Sequence, residues 1–314
     1  MEYQNPKIEF YRQRTFSEKL NVVFVFIREN WRPLLKYSFY LIMPVCLIQT
    51  LAMNSMLSMS FNAGLYASTS AIPFGSSLAS FIGNYGALMF CGLLGSAIIS
   101  GLIYAMMQTY AVRENRLQDV TLNDFKDLLV QNIWKYIRLI VSLIFVFVLF
   151  VTFMTLLAVY GTTWSLAITI PLLIFMCLCM IPLALVVPVY VFERDITFLD
   201  AFRKAWKLGY PTLGGLIGLM FVLYLIASII STVTMMPWYV TTIVGLVLST
   251  TSESVLNQSV TYKFILYILG LIQSFGGYIS SIIVIIGLGF HYFHAREKVE
   301  GITIESNITN FSNF

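Results

Sequence analysis

An all-α, polytopic membrane helix bundle is the fold class this sequence predicts, and three observations predict it. Apolar residues make up 58% of the chain and charged residues 11%, against about 45–50% and about 25% in an ordinary soluble domain. The charges are segregated: no Asp, Glu, Lys or Arg lies between Lys36 and Arg113, between Arg138 and Glu193, or between Lys207 and Glu253. The basic residues then fall on one side of the spans that these gaps define. A soluble fold with a mean hydropathy of +0.81 has too little polar surface to cover its outside.

Six apolar stretches are long enough for the ~20 residues that a membrane helix needs. They run over 34–60, 82–110, 133–160, 165–192, 212–236 and 262–292. Helices satisfy their own backbone hydrogen bonds in lipid, and the alternating ~10-residue segments of a β-barrel are absent. Six transmembrane helices are therefore expected. The stretch 235–248 is apolar but short, and Pro237 interrupts its start. It is expected to form an interfacial or re-entrant segment, because a seventh crossing would carry Arg296 and Lys298 to the opposite side.

With six spans, the N-terminus, the segments near 111–132 and 193–211, and the C-terminus share one side. That side holds every Lys and Arg except Lys263. Retention of basic residues inside makes it cytoplasmic. The expected location is the cytoplasmic (inner) membrane, multi-pass, with both termini in the cytoplasm. No short apolar region with a small-residue cleavage site precedes the first span, so no cleavable signal peptide is expected.

A threefold internal similarity organises the chain. Charged clusters at 12–14, 113–116 and 193–195 are each followed by a Thr–apolar–x–acid tetrad: Thr15 to Glu18, Thr121 to Asp124, Thr197 to Asp200. Each tetrad reads as a helix-capping box, with the acid near the positive helix end. An amphipathic run follows, then a span. In the third copy Phe198, Ala201, Phe202, Ala205 and Trp206 share one helical face, opposite Asp200, Arg203, Lys204 and Lys207. Pro33 and Pro211 stand where surface helix turns into span, and each reads as an elbow. The expected organisation is one transmembrane domain over 1–301, with repeat units at about 12–110, 113–192 and 193–293. A polar cytoplasmic tail follows at 302–314.

Two stretches resemble a bacterial six-span membrane-domain superfamily. It includes the transmembrane region of membrane-anchored glycerophosphodiester phosphodiesterases and many uncharacterised integral membrane proteins. The first stretch, 188–208, carries Pro188, Glu193, Ala201, Trp206 and Leu208, with Ala205 where the family often has Ser. The second carries Tyr292, Arg296, Glu300 and Gly301, with His294 in place of the family's usual Asp. The resemblance implies the six-span architecture. The soluble phosphodiesterase barrel of the enzyme members is absent, so their activity is not carried over.

Chemistry is sparse. Ionisable residues inside a membrane mark ion paths and catalysis, and the deep parts of the spans contain none. That argues against proton-coupled transporters, aspartyl intramembrane proteases and ion pumps. No zincin motif, P-loop or nucleophile elbow occurs. Cys46, Cys91, Cys177 and Cys179 lie in apolar runs without metal spacing and read as small core residues. His291 and His294, three apart, read as headgroup or helix-end contacts rather than metal ligands. Gly92, Ser96 and Ser100, and Gly214 and Gly218, recur at four-residue steps and favour close helix packing.

The candidate lipid-headgroup residues are Arg203, Lys204, Lys207, Lys126, Lys135 and Arg138, carried on basic surface helices. A candidate polar path comprises Gln49, Asn84, Gln108 and Gln273, for which plain interhelical hydrogen bonds are the simpler reading. No cofactor or metal is expected. The expected partners are membrane lipids with anionic headgroups, a second copy or another membrane protein, and no nucleic acid. The leading expectation is a non-enzymatic scaffold, accessory subunit or lipid-interacting organiser. The alternative is a transporter or flippase-like carrier for a lipid or other apolar substrate.

This topology predicts that single cysteines placed near residues 115 and 200 are shielded from an impermeant thiol reagent applied outside the cell, while one near residue 70 reacts. The reverse pattern would invert the orientation.

Overall fold

The computed structural model describes residues 6–66, 74–160, 171, 180–193, 196–251 and 259–302. Among them the chain is helical, with no strand. The helices are α1 (Phe16–Tyr66), α2 (Phe74–Val112), α3 (Leu122–Tyr160), α4 (Val186–Phe192), α5 (Phe198–Gly209), α6 (Leu213–Thr251) and α7 (Val260–Glu300). Five of them, α1, α2, α3, α6 and α7, are long and apolar enough to cross a membrane. The fourth expected span, 165–192, lies largely outside the described residues. Its described end is a 3-10 turn, Pro182–Leu185, leading into α4. Cys177, Cys179, Arg194, Asp195, Glu253 and the tail from 303 onward also lie outside them.

The three tetrads open three helices. Thr15 Oγ1 accepts from the Glu18 N–H at 3.4 Å, and Glu18 accepts from the Thr15 N–H at 2.7 Å. Asp124 accepts from the Thr121 N–H at 2.8 Å. Thr197 Oγ1 accepts from the Asp200 N–H at 3.3 Å. Each acid also accepts a hydrogen bond from the Thr hydroxyl. These bonds satisfy N–H groups that a helix start otherwise leaves bare.

The joints after the three helix starts differ. In α1 the backbone leaves helical geometry at Asn30 (φ −119°, ψ 16°), three residues before Pro33, whose missing N–H cannot bond the carbonyl of Glu29. The Asn30 side chain donates to the Phe26 carbonyl at 2.9 Å instead. Between α5 and α6 a 3-10 turn, Tyr210–Thr212, carries Pro211. By contrast α3 runs 39 residues without a break, since no proline interrupts it. The charged start of α3 therefore continues straight into its apolar stretch.

The stretch 235–248 corrects an expectation. It is not re-entrant: it extends α6 through Pro237 to Thr251. The Thr241 hydroxyl donates to the Pro237 carbonyl at 2.8 Å. At 39 residues and 1.5 Å per residue, α6 is about 58 Å long, well beyond the ~30 Å hydrocarbon thickness.

The chain divides into two compact units. The first comprises 1–31, 100–223 and 283–314. Its core is aromatic. Phe10 sits among Tyr110, Phe290 and Phe293 at ring distances of 5.0–5.9 Å, and Phe26 closes on Tyr110 and Phe290. The segment before α1 is fastened by Lys7 Nζ donating to the Ala111 carbonyl at 2.8 Å and by the Ile8 N–H donating to the Tyr110 hydroxyl at 3.3 Å. Arg116, in left-handed geometry at φ 55°, ion-pairs with Glu29 at 3.1 Å. That bond ties the α2–α3 turn to α1.

The second unit comprises 32–99 and 224–282. Polar contacts link its helices: Tyr278 to Gln49 at 2.7 Å, Thr50 to Ser274 at 3.3 Å, and Trp238 Nε1 to Asn54 at 3.3 Å. Cys46 and Cys91 are buried as free thiols, as expected for small core residues. Of the expected small-residue stripes, Gly92 and, in the first unit, Gly214 face open space, while Gly218, also in the first unit, lies under Phe16.

At the end of α5, a Cβ on Gly209 would sit 2.9 Å from both the Cα and the carbonyl oxygen of Pro182. Backbone cannot yield as a side chain does. Gly209→Ala should therefore lower stability by roughly 1–3 kcal/mol, the range for overpacking. Gly277→Ala, where nothing lies within 4 Å, should be neutral or slightly stabilising. Thermal melting in a mild detergent measures both, and equal melting of the two variants would contradict the close approach.

Candidate functional site

A cluster of charge in the first unit lies where the end of α4, the polar face of α5 and the last turns of α7 meet. Glu193 caps the end of α4, where its N–H bonds the Val189 carbonyl at 3.1 Å. Its carboxylate faces Lys204 Nζ at 2.8 Å and Arg296 Nε at 3.8 Å. Glu300 faces the same two cations, Lys204 at 3.2 Å and Arg296 at 2.8 Å. Two acids and two bases thus form a closed quartet, and all four side chains are between 12% and 23% exposed. At that depth water screens the attraction less than at an open surface.

Tyrosines complete the junction. The Tyr292 hydroxyl donates to Glu193 at 3.0 Å and accepts from Arg296 at 3.3 Å. Arg296 also donates to the Tyr11 hydroxyl at 3.2 Å. Burial raises the pKa of Tyr11, and the Arg296 guanidinium partly offsets that rise. The Tyr292 ring stacks on Phe192, 9° from parallel with centroids 5.6 Å apart. Gly301, at φ 61°, ends α7 with its N–H on the Glu297 carbonyl at 3.1 Å. This is the left-handed helix stop that glycine adopts most easily.

A cleft of about 420 Å³ opens beside the quartet, lined by Glu193, Ile196, Asp200, Arg203, Lys204, Lys207 and Glu300. The carboxylates in it are engaged: Glu193 and Glu300 by the quartet, Asp200 by Thr197 and by Arg203 at 3.4 Å. Among the described residues of the cleft, each carboxylate is thus held by a neighbouring cation or hydroxyl.

The expected headgroup residues divide. Arg203, Lys207, Lys126 and Arg138 are exposed, in positions that leave them open to an anionic surface. Lys204 is spent on Glu193 and Glu300. Lys135 donates to the carbonyls of Glu193 at 3.1 Å and Val191 at 3.5 Å, and its ammonium lies 5.5 Å from the Tyr190 ring centre. It caps the end of α4. The polar-path residues fall in both units. Gln108 belongs to the first unit, where it donates to the Val191 carbonyl and accepts from Asn132. Gln49, Asn84 and Gln273 belong to the second. There Gln49 holds Tyr278, Asn84 donates to Ser55 at 3.0 Å, and Gln273 Oε1 is buried without a partner.

Both histidines are buried, His291 fully and His294 at 7% exposure, so they are not surface headgroup contacts. His294 Nδ1 accepts from the Arg14 N–H at 3.0 Å, and His291 Nε2 meets Thr212 Oγ1 at 3.3 Å. No group of three or more metal-binding side chains occurs among the described residues. Sequence reasoning missed Lys19, buried at 6% exposure. The signal was present: Lys19 falls in helical register with the buried Val22, Val23 and Phe26, so a lysine occupies the apolar stripe of α1.

The fold is that of a membrane-embedded, all-helical protein. Searches against family models, curated proteins and solved structures find no match. The segments 188–193 and 292–300 meet at the quartet, through Glu193 on one and Tyr292, Arg296 and Glu300 on the other.

Removing one charge from a half-buried quartet strands its partners. A fully buried pair costs about 3–5 kcal/mol to break this way. Allowing for partial exposure, Glu193→Gln should cost roughly 1–3 kcal/mol, and more than Arg203→Gln on the open surface. Chemical or thermal unfolding in detergent gives the comparison. Equal stability of the two variants would show that the quartet contributes nothing beyond an exposed pair.

Proposed function

We propose that this chain is a non-enzymatic integral membrane protein, a scaffold or accessory subunit of the cytoplasmic membrane. In this reading it has six spans built as three repeats of surface helix and helical hairpin, both termini inside, and exposed basic residues facing anionic lipid. The observation that carries the reading is the split character of α3. Its first half is built into the first unit through Phe125, Leu129, Asn132 and Leu139, all buried. From Ile140 to Leu156 no residue is buried, and Phe145, Phe147, Leu149, Phe153 and Leu156 are each more than half exposed. Among the described residues this half of α3 is largely uncovered and so is open to a partner helix; such association rests on side-chain packing.

The carrier reading is less well supported, because Gln49, Asn84 and Gln108 are used in hydrogen bonds within their own units. The enzyme reading lacks a free acid–base pair at the charged cleft. A photo-crosslinking amino acid at Phe147 or Phe153, activated in native membranes, should give one discrete protein adduct. The same residue at Ile229, exposed on α6, serves as the comparison. Lipid adducts alone at 147 and 153, together with lipid translocation by the purified protein in liposomes that Gln49→Ala or Gln273→Ala abolishes, would replace the subunit reading with the carrier.

A further inference from the structure

The surface of α3 changes character at one point. Before Trp134 its exposed residues include the charged Asp124, Lys126 and Asp127. From Ile140 to Leu156 no residue is charged and none is buried. That run is about 25 Å long at 1.5 Å per residue, close to the ~30 Å of a bilayer's hydrocarbon. Between the two stand Trp134, 58% exposed, and Arg138, also exposed, whose Nε donates to the Trp134 carbonyl at 3.4 Å. Residues four apart share a helix face.

A layer of polar bonds carries that level across the first unit. Tyr110 of α2 donates to Glu29 of α1 at 3.1 Å. Two residues back along α2, Gln108 donates to the Val191 carbonyl of α4 at 3.3 Å and accepts from Asn132 of α3 at 3.0 Å. Lys135 of α3 and Lys204 of α5 both reach Glu193, one at its carbonyl, 3.1 Å, and one at its carboxylate, 2.8 Å. Trp134 adjoins Lys135, Trp206 lies two residues from Lys204, and Trp31 lies two residues from Glu29. Trp31 and Trp206 are exposed too, at 53% and 40%. Arg28 is exposed near the first, and Arg203 near the second. On α5 the inward side is Ala201, Ala205 and Leu208, so Trp206 stands on the outer side with the exposed Leu199. Three exposed indoles along one polar layer, each with an exposed arginine nearby, differ from the scattered single apolar residues of a water-facing surface.

We propose that Trp31, Trp134 and Trp206, with Arg28, Arg138 and Arg203, form a band that seats the first unit at the headgroup level of an anionic bilayer. An indole is apolar with a single N–H donor, so it settles where hydrocarbon meets polar headgroups. An arginine at that depth reaches a lipid phosphate with paired N–H groups. The partner is therefore the phosphate zone of the membrane, and the band fixes depth. From Ile140 onward α3 lies in hydrocarbon, and its charged start lies on the aqueous side. The band rests on the reading of an embedded chain with basic residues toward lipid, and it names the residues that set the level. Crosslinks at 147 and 153 report a partner and are blind to depth, so the subunit reading and the band can each fail alone.

Fluorescence quenching of the full chain in phosphatidylcholine–phosphatidylglycerol vesicles tests it, with one tryptophan present at a time and Phe at the other tryptophan positions. A nitroxide at the lipid headgroup should quench Trp31, Trp134 and Trp206 at least about two-fold more than one near the acyl-chain end, and Phe147→Trp in the tryptophan-free background should show the reverse. If that background does not fold, single Trp→Phe variants of the native chain give the same ordering by difference. Arg203→Glu should drive Trp206 outward and raise its quenching by aqueous acrylamide about two-fold. Any of the three tryptophans quenched as strongly from the chain end, or by neither nitroxide, overturns the proposal. So does unchanged acrylamide quenching of Trp206 in Arg203→Glu. Absence of chain-end quenching at Phe147→Trp overturns it together with the membrane reading on which it rests.

Discussion

The closed quartet of Glu193, Lys204, Arg296 and Glu300 is the interaction on which the arrangement of the first unit depends. Each member comes from a segment that apolar burial alone would leave free to slide: the end of the short α4, the polar face of α5, the final turns of α7. Hydrophobic attraction has no direction, whereas ion pairs and hydrogen bonds between half-buried groups hold only at a few ångströms. Tyr292 shows how the two cooperate. Its ring is fixed by stacking on Phe192, and its hydroxyl is thereby presented to Glu193 and Arg296.

Around this junction, polar chemistry is spent on position. Lys135 caps α4, Arg116 ties the α2–α3 turn to Glu29, and Arg14 gathers the carbonyls of the preceding segment. In the second unit Gln49, Asn54 and Thr50 each find a partner on another helix. Against that pattern the unpartnered groups stand out. His291 Nδ1 is buried without a partner, as are Ser38 Oγ, Thr242 Oγ1 and Gln273 Oε1, exceptions to the usual pairing of buried polar groups.

Much of this was legible in the sequence, for identifiable reasons. Charge-free stretches announce membrane helices because lipid tolerates little else, and the Thr–x–x–acid tetrads announce helix starts because the capping bonds are local. Pro33 and Pro211 announced joints for the same reason. What depends on distant partners was not legible. Lys204 and Lys207 look alike on the helical wheel of α5, yet Glu193 and Glu300 claim one and leave the other exposed. Pro237 looked like the end of a helix, but a proline removes only one backbone bond, and α6 continues past it. The burial of His291 and His294 required knowing that Thr212 and the Arg14 backbone face them across almost 80 and 280 residues of chain.

The capped starts of α1, α3 and α5 bear on how the protein is made. Each capping box needs only four consecutive residues, so it can close as soon as they leave the ribosome, before the span that follows has been synthesised. Nucleation is the costly step in helix formation. Caps formed from neighbours in sequence therefore lower that cost at three separate helix starts, at Thr15, Thr121 and Thr197, independently of any distant contact.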